Sequence, residues 1–194
     1  MVFIRKTYKI TVIFVIAFLL AINTSFAVDD GFGAAEKIEG RYFTIYYPPH
    51  LEIHKLLQQL NMSPVDNLLV GRPFSQGFGL TDMLDVLFLE ACDILDMHLY
   101  SFHGTIKICK DSFQLNNIYN YIFGKNATTR SFYSYDLNSI YTSASNFTRG
   151  VIGHEIAHAV ISHYFVVQPS VKVQEILATY VEYQLKRAQG GIIR

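Results

Sequence analysis

The sequence Gly153-His154-Glu155-Ile156-Ala157-His158-Ala159-Val160 places two histidines four positions apart, with a glutamate beside the first. The run is otherwise small and apolar. Asn146 or Thr148 can cap a helix here, which we expect to run to about Val167, ahead of Pro169. On that helix the two imidazoles are separated by about 40° and about 6 Å of rise, so both project to one side. The stretch therefore predicts a buried helix that presents two imidazoles to one ligand.

The alternative interpretation is that the pattern arose by chance and that the two histidines are simply exposed to solvent. The chain contains seven His and seven Glu among 194 residues, so a random order would produce H-E-x-x-H with a probability of roughly 0.01. A histidine pair on a solvated helix would need no metal, but burying two imidazoles and a carboxylate without partners costs several kcal/mol. A tetrahedral zinc ion would be such a partner, and Glu155, about 100° further round the helix, would reach water beside it. We therefore interpret His154 and His158 as metal ligands and Glu155 as a general base.

A catalytic zinc ion uses three protein ligands and keeps one position open, so a third ligand is expected. Glu175 follows His158 in a second helical segment, which begins after Gln168-Pro169-Ser170. Glu182, about two turns further along that segment, shares the same helical face and is the alternative. His163 is excluded because it points about 140° away from His158. The helical spacing alone leaves Glu175 and Glu182 both open.

Two short motifs together resemble a known family. His154-Glu155-Ile-Ala-His158 followed by Glu175-Ile-Leu-Ala178-Thr-Tyr180 is similar to the gluzincin branch of zinc metallopeptidases, the thermolysin-like group. It most resembles the short bacterial peptidase-MA-like domains, whose second motif reads Glu-Gly-x-Ala-x-Tyr. The resemblance covers roughly residues 40–185, in which the two motifs are specific and the rest is loose. Ile176 stands where that family usually has glycine, which leaves the ligand intact and can alter the packing of the second helix.

The resemblance implies a minimal zincin-like domain that hydrolyses peptide bonds. One Zn²⁺ ion would be held by His154, His158 and Glu175, since the residues after Glu175 match the family pattern only in that register. Glu155 would take a proton from water and pass it to the leaving amine of a peptide or protein substrate. Two other functions stay open: a zinc hydrolase of a non-peptide substrate, and a catalytically degenerate zincin-like module that binds a partner in the cleft.

Several features of the cleft follow from the same resemblance. The predicted strand at residues 139–142 is expected at the sheet edge, where it could pair with an extended substrate. Thr179 could hydrogen-bond a metal-bound histidine. Little sequence follows Glu175 before Arg194, so we expect either an open, shallow cleft or a partner chain that completes it. The candidates for stabilising the oxyanion are four tyrosines: Tyr141, Tyr164, Tyr180 and Tyr183.

The N-terminal segment 1–27 has the pattern of a secretory signal peptide. Basic residues at positions 5, 6 and 9 precede an uncharged, mostly apolar run at 10–22, and Ser25-Phe26-Ala27 offers small residues for cleavage after Ala27. The run is shorter than the roughly 20 residues of a membrane-spanning helix; an anchor that is never cleaved is the alternative. We predict that residues 28–194 form one exported domain, secreted or periplasmic, with no stable membrane span after cleavage.

Charge and cysteine content narrow the possible partners. The chain has 16 Lys and Arg and 16 Asp and Glu, and loss of the leader would leave a net charge of about −3. Nucleic acid is not an expected partner, since it would need a basic face. We interpret Cys92 and Cys109 as buried core residues; a disulfide between them is the alternative, since export would permit one.

The remaining pattern is typical of an α+β domain with a small mixed sheet packed on helices. A polar lead-in covers residues 28–40, and a loop rich in Gly, Pro, Ser and Asn covers residues 61–79. His50 and His54 also lie four positions apart, and we expect a surface pair because no third ligand is in view. The predicted strands are 41–47, 104–109, 131–135 and 139–142, and the predicted helices are 50–60, 81–99 and 111–123, followed by the two motif helices.

Overall fold

The computed structural model describes residues 30–60, 79–126 and 128–188. The chain divides into two units, residues 1–30 and 31–194, and the second contains all the described helices and strands. The predicted signal peptide at residues 1–27 and all but the last residue of the predicted loop at residues 61–79 lie outside the described residues. Among the helices that are described, none is long and apolar enough to span a membrane.

The described residues form an α+β domain around one open, mixed sheet of five strands. The three inner strands run parallel, and each edge strand is antiparallel to its neighbour. The predicted α+β class is confirmed. The sheet order is β1-β2-β3-β5-β4, with strands β1 (Glu36–Glu39), β2 (Phe43–Tyr47), β3 (Gly104–Cys109), β4 (Ser131–Ser134) and β5 (Ser139–Ser143). The helices are α1 (Ile53–Leu60), α2 (Leu80–Leu95), α3 (Ser112–Phe123), α4 (Arg149–Tyr164) and α5 (Val171–Ala188).

Each face of the sheet has its own hydrophobic core, because successive side chains of a strand point to opposite faces. Ile106 and Ile108 of β3 join the larger cluster, which also contains residues of α1, α2, α4 and α5. Cys109 joins the smaller cluster together with residues of α3. Cys92 of α2 belongs to the larger cluster, so the two cysteines lie in different cores, and both are buried thiols that form no disulfide. Their interpretation as core residues is confirmed.

The two edges of the sheet differ from the sequence prediction, although β4 itself lies within the predicted strand 131–135. β1 lies inside the predicted polar lead-in, because an edge strand paired on one side only can leave its charged side chains in solvent. The expectation that residues 139–142 form the sheet edge was wrong. β5 is paired on both sides and all five of its residues are buried, so β4 is the edge strand next to α4.

Helix ends depart slightly from prediction. α2 stops at Leu95 rather than near Leu99, where Asp96 adopts a left-handed conformation with φ 52°. α4 stops at Tyr164 rather than near Val167, because the backbone of Phe165 is extended. The chain between α4 and α5 is therefore a short connection that lets the two helices pack against each other.

Candidate metal centre

α4 presents both motif histidines on one side, as their spacing predicts. Thr148 caps the helix, and its hydroxyl accepts a hydrogen bond from the backbone N–H of Val151 at 3.4 Å. The Nε2 atoms of His154 and His158 lie 3.2 Å apart. Their side chains are 19% and 14% exposed. The helix therefore holds two imidazole nitrogens side by side at the floor of a cleft.

Glycines on α4 let α5 approach closely enough to reach these histidines. A Cβ atom on Gly153 would overlap the side chain of Leu185, and one on Gly150 would lie 2.8 Å from Lys186 Cε. Leu185 is 1% exposed, so it occupies the space that a side chain at Gly153 would need. The sequence Gly150-Val-Ile-Gly153 thus fixes the helix separation that positions the acidic residues of α5.

The carboxylate of Glu175 on α5 lies against both histidines. Its Oε2 is 3.6 Å from His154 Nε2 and its Oε1 is 3.4 Å from His158 Nε2. Each histidine thus faces a different oxygen of Glu175, and with one ligand atom taken from each residue the three atoms lie within 4.8 Å of one another. Ligands of a tetrahedral zinc ion lie about 3.3 Å apart, so a small closing movement would bring these three groups onto one ion. His154, His158 and Glu175 form a group that could hold a metal ion. Glu175 is 54% exposed, so the group opens to solvent on that side.

Glu182, the alternative ligand, lies beside the other nitrogen of His154. Its Oε2 is 3.3 Å from His154 Nδ1, although no hydrogen bond of good geometry reaches that buried nitrogen from the described residues. The second oxygen of Glu182 accepts from Lys186 Nζ at 2.5 Å. A carboxylate beside Nδ1 can orient the ring and favour the tautomer that leaves Nε2 free for a metal. The structure therefore assigns Glu182 to the outer side of the imidazole and Glu175 to the inner side.

His158 has a different second partner. Gln174 of α5 lies beside it and raises its pKa, but burial and the neighbouring His154 outweigh this and lower the pKa of His158. A lowered pKa keeps this imidazole neutral, the form in which it binds a metal. Thr179, which the sequence suggested for such a role, is exposed. The side chains that lie beside the two histidines are instead Gln174 and Glu182.

Glu155 lies in the same cleft, buried to 6% exposure. Ser131, the first residue of the edge strand β4, donates a hydrogen bond from its hydroxyl to Glu155 Oε1 at 2.6 Å. Burial raises the pKa of the Glu155 carboxyl to about 7, although the bond from Ser131 acts in the opposite direction. A carboxyl group with a pKa near neutrality can both accept and return a proton. Ser131 gave no signal in the sequence, since it lies in a different element well before the motif helix.

The cleft has a volume of about 840 Å³ and is bounded by α3, β4, α4 and α5. The four tyrosines expected as oxyanion donors do not line it. Tyr141 is fully buried in the smaller core, whereas Tyr164, Tyr180 and Tyr183 are about half exposed elsewhere. Tyr133 of β4 lines the cleft, but its hydroxyl contacts His163 Nε2 at 3.1 Å. The structure therefore does not support any of these four tyrosines as the residue that stabilises the oxyanion.

The other described histidines lie apart from this cluster. His54 pairs with Glu52 at 3.1 Å on the surface, as expected for a pair without a third ligand. His103 contacts Thr44 Oγ1 at 2.8 Å. His98 lies 3.7 Å from two aspartates at the end of α2. Among the described residues, the cluster on α4 and α5 is the one group of three or more such side chains that could share a metal.

Comparison of the chain with models of protein families, with curated proteins and with solved structures finds no match in any of the three.

Proposed function

We propose that this protein is an exported zinc metallopeptidase with a zincin-like fold, in which His154, His158 and Glu175 hold one Zn²⁺ ion. The observation that carries the proposal is the convergence of two imidazoles and one carboxylate, each within 3.6 Å of the other two groups, beside a buried glutamate in one cleft. Two imidazoles and one carboxylate are a typical ligand set for catalytic zinc. The combination of this ligand set, a neighbouring general base and an open cleft supports a hydrolase.

The residues of the chain have distinct roles in this proposal. Zinc, when bound, supplies Lewis-acid polarisation of a carbonyl group and a more acidic water molecule. Glu155 accepts a proton from water at a carboxylate oxygen as the water oxygen bonds to the substrate carbonyl carbon. The carbon–nitrogen bond then breaks, and Glu155 returns the proton to the departing amine nitrogen. Ser131 holds the carboxylate toward β4 through its 2.6 Å hydrogen bond.

An open strand edge favours a peptide over other substrates. Among the described strands β4 pairs with β5 alone, and its Ser131 contacts the general base. An extended peptide can add to such an edge through backbone hydrogen bonds, which places its carbonyl groups in a row beside the strand. A non-peptide substrate would leave those backbone groups unused. The proposed peptide substrate therefore accounts for the position of Glu155 next to a strand edge.

Metal analysis of protein purified without added zinc tests the proposal first. We expect about one zinc per wild-type chain and its loss in His154→Ala and His158→Ala. His98→Ala is the matched control, since it removes an exposed histidine outside the cluster. Wild-type protein with no more zinc than the two motif variants would refute the metal site.

Hydrolysis is tested separately with Glu155→Gln, which preserves shape and removes the base. We expect this variant to keep its zinc and to lose peptide hydrolysis, measured by mass spectrometry of a peptide library. Substantial turnover by Glu155→Gln would remove Glu155 from the mechanism. A zinc-loaded wild-type protein that cleaves esters or other bonds but no peptide would support the non-peptide alternative.

A further inference from the structure

The cleft extends beyond the metal group to a wall that the hydrolytic step does not use. This wall is made by the C-terminal half of α3 and by Lys125, Thr129 and Arg130, which lie between α3 and β4. It contributes both aromatic and basic side chains, whereas α4 and α5 contribute the acidic ones. The two sides of the cleft therefore differ in charge and in apolar character.

Three aromatic rings on this side form a preassembled surface, here called the aromatic platform: Tyr119, Phe123 and Phe132. Tyr119 and Phe123 have ring centroids 4.8 Å apart, and Phe132 lies 5.1 and 5.6 Å from them. Phe132 is buried beneath, but Phe123 is 41% exposed in the cleft. Mutual contact fixes the rings before any ligand arrives, and exposed apolar surface inside a cleft is typical of a binding site. The platform suits a large apolar side chain.

Two cations lie beside the platform. Arg130 and Lys125 line the cleft, and among the residues that the structure describes no carboxylate forms an ion pair with either. The acidic residues of the cleft come from α4 and α5, and Glu182 is already paired with Lys186. A guanidinium group without a protein carboxylate is well suited to bind a carboxylate of the substrate with two parallel hydrogen bonds.

We propose that this wall binds the C-terminal residue of the substrate, with Arg130 on its free carboxylate and the aromatic platform on a large apolar side chain. The inference rests on the proposed peptidase function and names its substrate class. Arg130 directly precedes Ser131, which contacts the general base. Arg130 lines the same cleft as Glu155 and the metal group, so a carboxylate held at Arg130 shares that cleft with the bond that is cut. The reaction is then the removal of a short C-terminal fragment: water adds to the carbonyl carbon, and the fragment leaves with a protonated amine.

Peptide binding to the zinc-loaded Glu155→Gln protein tests this without depending on turnover. Fluorescence anisotropy measures the binding of two pairs of peptides. The first pair differs only in whether the C-terminus is free or amidated, and the second pair differs only in whether the last residue is Phe or Ser. We expect amidation and the Phe-to-Ser change each to weaken binding about tenfold or more. Adding Arg130→Gln should abolish the effect of amidation, and adding Phe123→Ala should abolish the preference for Phe.

Two control variants replace the same residue type or the same kind of ring outside the cleft. Arg187→Gln removes an exposed arginine of α5, and Tyr121→Ala removes a 69% exposed aromatic of α3, neither of which lines the cleft. Both should leave the two preferences unchanged. Equal binding of the free and amidated peptides would overturn the inference, as would a stronger preference for an internal acidic residue. If wild-type protein cleaves peptides only at internal sites, the peptidase proposal survives and this inference fails; if it cleaves no peptide, the proposed function itself fails.

Discussion

Replacing Gly153 with alanine tests whether the close packing of α5 on α4 requires the absence of a side chain. The new Cβ would overlap Leu185 Cδ1 and would lie 3.6 Å from Leu185 Cγ and 3.7 Å from Leu87 Cδ1. Leu185 is 1% exposed and has no solvent to move into. Overpacking costs about 1–3 kcal/mol and the better helix propensity of alanine returns about 1 kcal/mol, so we expect a net destabilisation of up to about 2 kcal/mol.

Urea unfolding of metal-free protein, followed by circular dichroism, measures this change. In a Leu185→Ala background the same substitution should instead stabilise by about 1 kcal/mol, because the truncated side chain leaves room and only the propensity term remains. Gly150→Ala is the matched control. Its Cβ would meet Lys186 Cε at 2.8 Å, but that side chain is 59% exposed and can move away, so no destabilisation is expected. An equal effect of Gly153→Ala in both backgrounds would refute the packing argument.

Two further predictions concern the ligands and the thiols. Glu175→Ala should weaken zinc binding by about 1000-fold or more, whereas Glu182→Gln, beside His154 Nδ1, should weaken it about 10–100-fold. Chelator competition on folded variants measures both, and a larger loss for Glu182→Gln would reverse the ligand assignment. Burial raises the pKa of the Cys92 thiol from 9.0 to about 11. Native protein at about pH 8 should therefore resist alkylation that unfolded protein undergoes, as mass spectrometry would show. The stability linked to this thiol is present below pH 9.0 and is lost as pH rises through about 11; equal alkylation of native and unfolded protein would contradict the burial.

The amino-acid sequence by itself determined the features that depend on short-range spacing. His154 and His158 share one side of α4 because four residues make about one helical turn, and no tertiary contact is needed for that. The sequence also limited the start of α4 to two capping residues, Asn146 and Thr148, of which Thr148 is the one that caps the helix. The period of apolar residues was enough for α2 and α3, and the alternation of side chains was enough for β3.

Only the tertiary structure decided how these elements meet. Glu175 and Glu182 are about two turns apart on one face of α5, so spacing cannot separate them; their roles depend on where α5 lies along α4, which the contact of Leu185 with Gly153 sets. The edge position of β4 depends on strand pairings between residues far apart in the chain, and local alternation is the same for an inner and an edge strand. Ser131 reaches Glu155 for the same reason. Long-range packing brings together groups whose separation in the sequence follows no helical or strand period, so a sequence pattern does not predict their contact.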